Sequence, residues 1–160
     1  MAGELVETSV DNGDGTFTYN VPVREGYTWS DGSPITANDW EFTFDTVKSL
    51  SLGGNFLSSY PYSCEDEEGT AKNCVVSVVA SDDYTVSITF NYDPGLSTWQ
   101  YGTAQGIAFS KAYWEQYATD KETLYAHDAT NAPVASAFVY DKLEQGAFYT
   151  WKYDANTMWY

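Results

Sequence analysis
His127 is the only imidazole in the chain, and acid–base or nucleophilic catalysis needs a base positioned beside a nucleophile or a metal. Asp128, Thr130 and Asn131 follow it, so the stretch reads as a surface loop with an incidental histidine. No G-x-S-x-G elbow, P-loop or H-E-x-x-H helix occurs in the sequence. The 23 acidic residues supply carboxylates, but no spacing selects a pair for glycoside hydrolysis. Cys64 and Cys74 are ten positions apart, outside C-x-x-C spacing, and one histidine makes zinc a poor fit. Asp11-Asn12-Gly13-Asp14-Gly15 imitates the start of a calcium loop, yet Gly13 and Pro22 occupy two positions that should carry ligands. These residues point away from an enzyme, a cofactor or a metal site.

Aromatic side chains are the other candidates for chemistry. Trp29, Trp40, Phe42 and Phe44 stand in a patterned segment that predicts core positions, each ring contributing roughly 1.5–3 kcal/mol on burial. Tyr60, Tyr62, Trp99 and Tyr101 neighbour glycine, proline and serine, and are the better candidates for an exposed platform that stacks on sugars. Formal charge is −16, from 23 acidic against 7 basic residues. That balance argues against nucleic acid and against anionic membrane surfaces, which need a cationic footprint. Glu65-Asp66-Glu67-Glu68 is the one acidic run and reads as a solvated loop. No apolar run is long enough to span a membrane.

The positioning elements can be read along the chain. Asp11 to Gly15 is a hairpin turn. Thr16 to Val23 alternates, placing Phe17, Tyr19, Val21 and Val23 on one face, and Pro22 predicts an edge or a bend. Asp31-Gly32 and Ser33-Pro34 force tight reversals. Thr36 and Asp39 form a capping box before a helix over Ala37–Ser49, with Trp40, Phe44, Val47 and Leu50 at helical spacing. Gly53-Gly54 should stop it. A long loop runs from Asn55 to Asn73. Val75–Ala80 and Tyr84–Phe90 are strands joined by Ser81-Asp82-Asp83. Short helices are expected over Leu96–Tyr101 and, capped by Ser110, over Lys111–Ala118 with Tyr113, Trp114 and Tyr117 on one side. Phe148–Tyr153 is a further strand. At 160 residues this is one domain's worth, able to bury roughly 70% of its unfolded surface. The class is α+β, with a mainly antiparallel sheet of four to six strands and two or three helices.

Tyr19-Asn20-Val21-Pro22-Val23-Arg24-Glu25-Gly26-Tyr27-Thr28-Trp29-Ser30-Asp31-Gly32-Ser33-Pro34-Ile35-Thr36-Ala37-Asn38-Asp39-Trp40-Glu41-Phe42-Thr43-Phe44 resembles a family signature. Its pattern is Y-T-F-x-L-R-x-G-V-K-W-H-D-G-x-P-F-T-A-x-D-V-x-F-[ST]-[FL], that of the family 5 extracellular solute-binding proteins, the oligopeptide and dipeptide receptors of ABC importers. Leu5–Val10 is similar to the family's opening strand, and Asp82-Asp83-Tyr84-Thr85-Val86 to a D-x-x-T-V strand. Ala132 to Val139 resembles a P-V-G-T-G-P-Y strand, with alanine in place of both glycines. Asn156-Thr157-Met158-Trp159-Tyr160 is similar to the N-P-x-Y-W that follows it.

The resemblance implies a portion of lobe I of a two-lobed receptor, excised from the N-terminal part of a longer chain and preceded by an engineered start at Met1-Ala2-Gly3. It implies a monomeric component that captures a peptide or related small solute and delivers it to a membrane permease, without catalysis or cofactor. The location implied is extracellular, as a cell-surface lipoprotein or periplasmic receptor whose signal and anchor lie outside this sequence. By position it assigns ligand contact to Phe56, Leu57 and Tyr60 after the signature helix, and to Ser136, Ala137 and Phe138. An extracellular setting also favours a disulfide between Cys64 and Cys74, worth roughly 2.5–3 kcal/mol in the chain-entropy model. An aromatic-rich carbohydrate-binding module and an adhesion domain are the competing readings.

Overall fold
The computed structural model describes residues 9–53, 64–65, 71–72, 74–93 and 107–155. Its elements run β1 (Val10–Asp11), β2 (Phe17–Pro22), α1 (Ala37–Ser49), β3 (Cys64–Glu65), β4 (Ala71–Lys72), β5 (Val75–Asp82), β6 (Thr85–Phe90), α2 (Lys111–Trp114), α3 (Lys121–Ala126), a 3-10 turn (Ala129–Asn131), β7 (Phe138–Glu144) and β8 (Phe148–Tyr153). An antiparallel sheet in the order β1-β2-β6-β5 forms the centre, and β3-β4 and β7-β8 are two-stranded ladders. This is the expected α+β class. Leu5 to Thr8 and the Leu96–Tyr101 helix lie outside the described residues.

β2 pairs with β6 from Phe17–Phe90 to Pro22–Thr85. Val23 N–H donates to the Tyr84 carbonyl at 2.8 Å, so odd-numbered amides of β2 face β6 and even-numbered ones face outward. Pro22 therefore gives up no ladder bond, and β1, which pairs only with Phe17 and Thr18, does not reach it. The expected edge is present locally. The β5–β6 reversal falls on Asp83-Tyr84, one step later than Ser81-Asp82-Asp83, because Asp82 Oδ1 accepts the Tyr84 amide at 2.8 Å.

α1 lies on β5 and β6. Its first amide, Ala37 N–H, donates to the Asp83 carbonyl at 2.8 Å, and Glu41 accepts the Ala80 amide at 2.9 Å where a bulge takes β5 off register. Tyr19, Val23, Trp29, Ile35, Phe44, Val78, Val86, Ile88 and Phe90 are the main buried core. Trp40 is half-buried against that core. Phe42, also expected inside, is half-buried and stands outside the core cluster, since its helical position turns it off the sheet-facing stripe.

Glycine does not end α1. Ser51 takes the left-handed conformation (φ 50°), and Leu52 N–H donates to the Val47 carbonyl at 2.9 Å. That is a Schellman ending with serine at the position glycine usually fills. Leu52 is then buried with Val47 and Leu124 in a second cluster.

Candidate functional site
Asp39 is the hub around which the remaining segments assemble. Asp39 is 4% exposed. Oδ2 accepts Thr36 N–H at 2.9 Å, completing the capping box, and the Trp29 indole N–H at 3.2 Å; Oδ1 accepts Lys111 N–H at 2.8 Å. Burial holds its carboxyl above the ordinary carboxylate range against the pull of these donors. One turn later, Thr43 donates to the Asp39 carbonyl at 2.6 Å while accepting Phe109 N–H at 2.7 Å. Residues 109–111 are thus pinned to α1. Ser110 sits at the N-cap of α2, but its buried hydroxyl has no partner among the described residues. Ser110 makes no side-chain cap bond; instead Asp39, from another helix, accepts the first amide of α2, that of Lys111. The expected Lys111–Ala118 helix shortens to Lys111–Trp114, with turns following.

The stretch 132–137 is irregular, where a strand over Ala132–Val139 was expected, and β7 begins only at Phe138. The cause is a cross-link to the signature turn. Ser30 N–H donates to the Val134 carbonyl at 3.0 Å, and Val134 N–H donates to Ser30 Oγ at 3.1 Å. The turn is rigid. Gly32 carries φ +85°, its amide donates to the Trp29 carbonyl at 2.9 Å, and Asp31 Oδ1 accepts Ser33 N–H at 2.9 Å.

Between α1, residues 107–114 and the 132–136 loop lies an apolar recess of about 480 Å³. Trp29, Ile35 and Trp40 form its floor, Ile107, Phe109 and Trp114 one wall, and Pro133 to Ser136 the other. Among the described residues, no charged side chain lines it. Trp29 is nearly buried, whereas Ile107 is 43% exposed at the mouth. No hydrogen bond among the described residues uses the backbone N–H of Ala135 or Ser136, so the loop presents main-chain donors beside an apolar cavity. Such a combination suits a ligand with a peptide-like backbone and an apolar side chain.

Of the expected site residues, Ser136 lies on the recess wall, and its hydroxyl accepts Phe138 N–H at 3.2 Å. Ala137 and Phe138 fall beyond it. The Ala137 carbonyl accepts Asp154 N–H at 3.0 Å, and Phe138 is 52% exposed, edge-on to Tyr153. Phe56, Leu57 and Tyr60, like Tyr62, Trp99 and Tyr101, lie outside the described residues. Cys74 is buried at 2% exposure; the Cys64 side chain is outside the described set, so their bridge stays a proposal. Trp29 and Trp40, expected from sequence in the core, line the cavity as well, together with Ile35. Two lining residues, Ile107 and Phe109, carried no motif that marked them.

His127 is better embedded than its neighbours suggested. It follows α3, a helix missed because it is six residues long, and its ring stacks on Tyr117 at 3.6 Å with Tyr113 Oη 3.0 Å from Nε2. The Asp11–Gly15 turn uses its carboxylates internally, Asp11 on Gly13 N–H and Asp14 on Thr16 N–H at 2.8 and 2.9 Å. No metal-ligating cluster occurs among the described residues.

β7 and β8 carry a row of exposed apolar and aromatic side chains. The pairing sets Phe138 opposite Tyr153, Tyr140 opposite Trp151 and Leu143 opposite Tyr149, and a bulge after Tyr140 keeps Leu143 on the same face. Five of these six are more than half exposed. Lys152 and Asp141 pair at 3.8 Å elsewhere on the hairpin.

The α+β fold matches that found in part of solved ABC-transporter and oligopeptide-binding proteins. An AppA oligopeptide-binding protein from Bacillus subtilis, solved with a nonapeptide, superposes with TM-score 0.66 at 19% identity, over 94% of this chain and 27% of that one. A mannohexaose-bound periplasmic oligopeptide-binding protein from Thermotoga maritima gives 0.62 at 20% identity, over 96% and 25%. Among curated relatives, the oligopeptide-binding protein OppA of B. subtilis is 33% identical over 93 residues, 54% of this chain and 16% of that protein. The dipeptide-binding protein DppE of the same organism is 32% identical over 75 residues, 45% and 14%. The model of the bacterial extracellular solute-binding proteins, family 5 middle, matches residues 1–160, and the chain belongs to that family. Its members bind solutes and are not catalysts. The chain spans about a sixth of the length of these curated relatives.

Proposed function
We propose that these residues supply part of lobe I of a monomeric receptor that captures peptides outside the membrane and delivers them to an ABC permease. The receptor is anchored as a cell-surface lipoprotein or held in the periplasm, and it closes on its ligand by hinge motion between lobes. The observation that supports this most is the 132–136 loop, which offers open main-chain donors at the lip of an apolar recess. Ser136 is the residue there most favoured for ligand contact. Ala137 and Phe138, with Phe56, Leu57 and Tyr60, are carried over as proposed contacts by family position.

Isothermal titration of the receptor containing these residues with tri- to nonapeptides tests this. Micromolar or tighter binding supports the reading, and heats no larger than dilution for every length sink it. The aromatic face of β7–β8 favours a second reading, an oligosaccharide-binding surface in which sugar rings stack on Tyr149, Trp151 and Tyr153. Titration with mannohexaose separates the two, since this reading alone requires mannohexaose to bind the isolated 160-residue chain and that binding to be lost in Trp151→Ala.

A further inference from the structure
We infer that the recess is a specificity pocket for one large apolar side chain of the ligand, aromatic or branched aliphatic, and that it rejects charged ones. The inference rests on the receptor reading and adds the substrate class. Four rings, those of Trp29, Trp40, Phe109 and Trp114, surround a volume of about 480 Å³, which holds a single phenylalanine, tryptophan or leucine side chain with room to spare.

Charge is excluded on physical grounds. A lysine or glutamate side chain entering this volume would lose its water and find no charged partner among the described lining residues, none of which is ionisable. Asp39, the carboxylate behind the floor, cannot serve, because its oxygens already accept the Trp29 indole, Thr36 and Lys111 N–H groups. The polar groups at the rim are main-chain amides and the Ser136 hydroxyl, which fit the backbone flanking the inserted side chain. Trp29 is held in place by its indole bond to Asp39, and Val134 by its two bonds to Ser30. The cavity is therefore formed in advance of binding.

The test uses the ¹⁵N-labelled 160-residue chain and a series of N-acetyl amino-acid amides, followed through the tryptophan indole N–H resonances. N-acetyl phenylalaninamide, tryptophanamide and leucinamide should shift the Trp29, Trp40 and Trp114 signals. The lysine and glutamate analogues should bind at least about tenfold more weakly, the factor expected from the transfer of one large apolar side chain. Ala135→Trp and, independently, Ala132→Leu should abolish the shifts while leaving the circular dichroism unchanged. No shift with any apolar amide, equal shifts from lysinamide, or shifts that survive in a folded recess-filled variant overturn the inference. Failure of the receptor reading is separately visible. Peptide capture without side-chain preference would remove this pocket and leave the receptor, whereas absence of peptide capture with the amide series intact would do the reverse.

Discussion

Replacing Asp39 should unfasten the segment that builds the recess. In Asp39→Ala three donors lose their acceptor at once: the Trp29 indole, Thr36 N–H and Lys111 N–H. An orphaned buried donor costs about 1–3 kcal/mol. The Trp29 indole bond is buried, while the other two are partly accessible to water, so they belong at the low end. Relief of the carboxylate's own desolvation offsets part of the loss. The net is about 3 kcal/mol, a large share of the 5–15 kcal/mol typical of a domain. With a urea slope of about 2 kcal/mol/M, the midpoint should fall by about 1.5 M. Asp39→Asn keeps one acceptor oxygen but turns an amide toward a donor, and should fall by about half as much. In both variants the Phe109 and Lys111 amides should lose hydrogen-exchange protection before those of β6. A midpoint shift under about 0.3 M in Asp39→Ala, or unchanged Lys111 protection, would refute the hub.

The pH dependence has a definite sign. Burial raises the Asp39 carboxyl above its unfolded value of 3.8, so the native state binds this proton more tightly than the unfolded chain. Its contribution is fully present below that unfolded value and is lost as pH rises through the raised native one. Between these limits wild type should lose stability relative to Asp39→Asn as pH increases; the opposite slope would contradict the burial argument.

Other outcomes follow from individual positions. Ser51→Gly removes a left-handed serine (φ 50°) and should stabilise by up to about 1 kcal/mol, raising Tm by about 2–4 °C in a thermal melt. Gly32→Ala has open space around its new methyl group but φ +85°, so it should cost about 1 kcal/mol through backbone strain alone. Trp151→Ala, on the exposed hairpin face, should cost about 0.5–1 kcal/mol in cross-strand contacts, against about 3–5 for Trp29→Ala in the core; urea titrations of the pair would show the contrast. If Cys64 and Cys74 are bridged, thiol titration in denaturant should find no free thiol before reduction, and reduction should cost roughly 2.5–3 kcal/mol.

Local chemistry was legible in the sequence. The Asp31-Gly32 turn, the Thr36/Asp39 box, the extent of α1 and the alternation of β2 depend on residues a few positions apart, and each appears in the structure. What escaped depends on distant partners. Nothing near Ser110 reveals that its helix is capped by Asp39, and nothing near Val134 reveals the Ser30 bonds that keep 132–137 out of a strand. β7 was hidden because the bulge between Tyr140 and Lys142 breaks its period of two. α3 is too short to show a helical period. The recess belongs to this second group, since its walls come from three separated stretches and only the aromatic character of Trp29, Trp40 and Trp114 was visible beforehand.

The central claim is that these residues belong to a receptor whose cargo is peptide with an apolar side chain seated in the recess. Native mass spectrometry of the receptor containing them, purified without refolding and followed by sequencing of the released ligands, tests it most directly. The account predicts co-purified peptides of mixed sequence, enriched in phenylalanine, tryptophan or leucine at one fixed position. Bound oligosaccharide or metal chelate in their place, or peptides with no enrichment at any position, would contradict it.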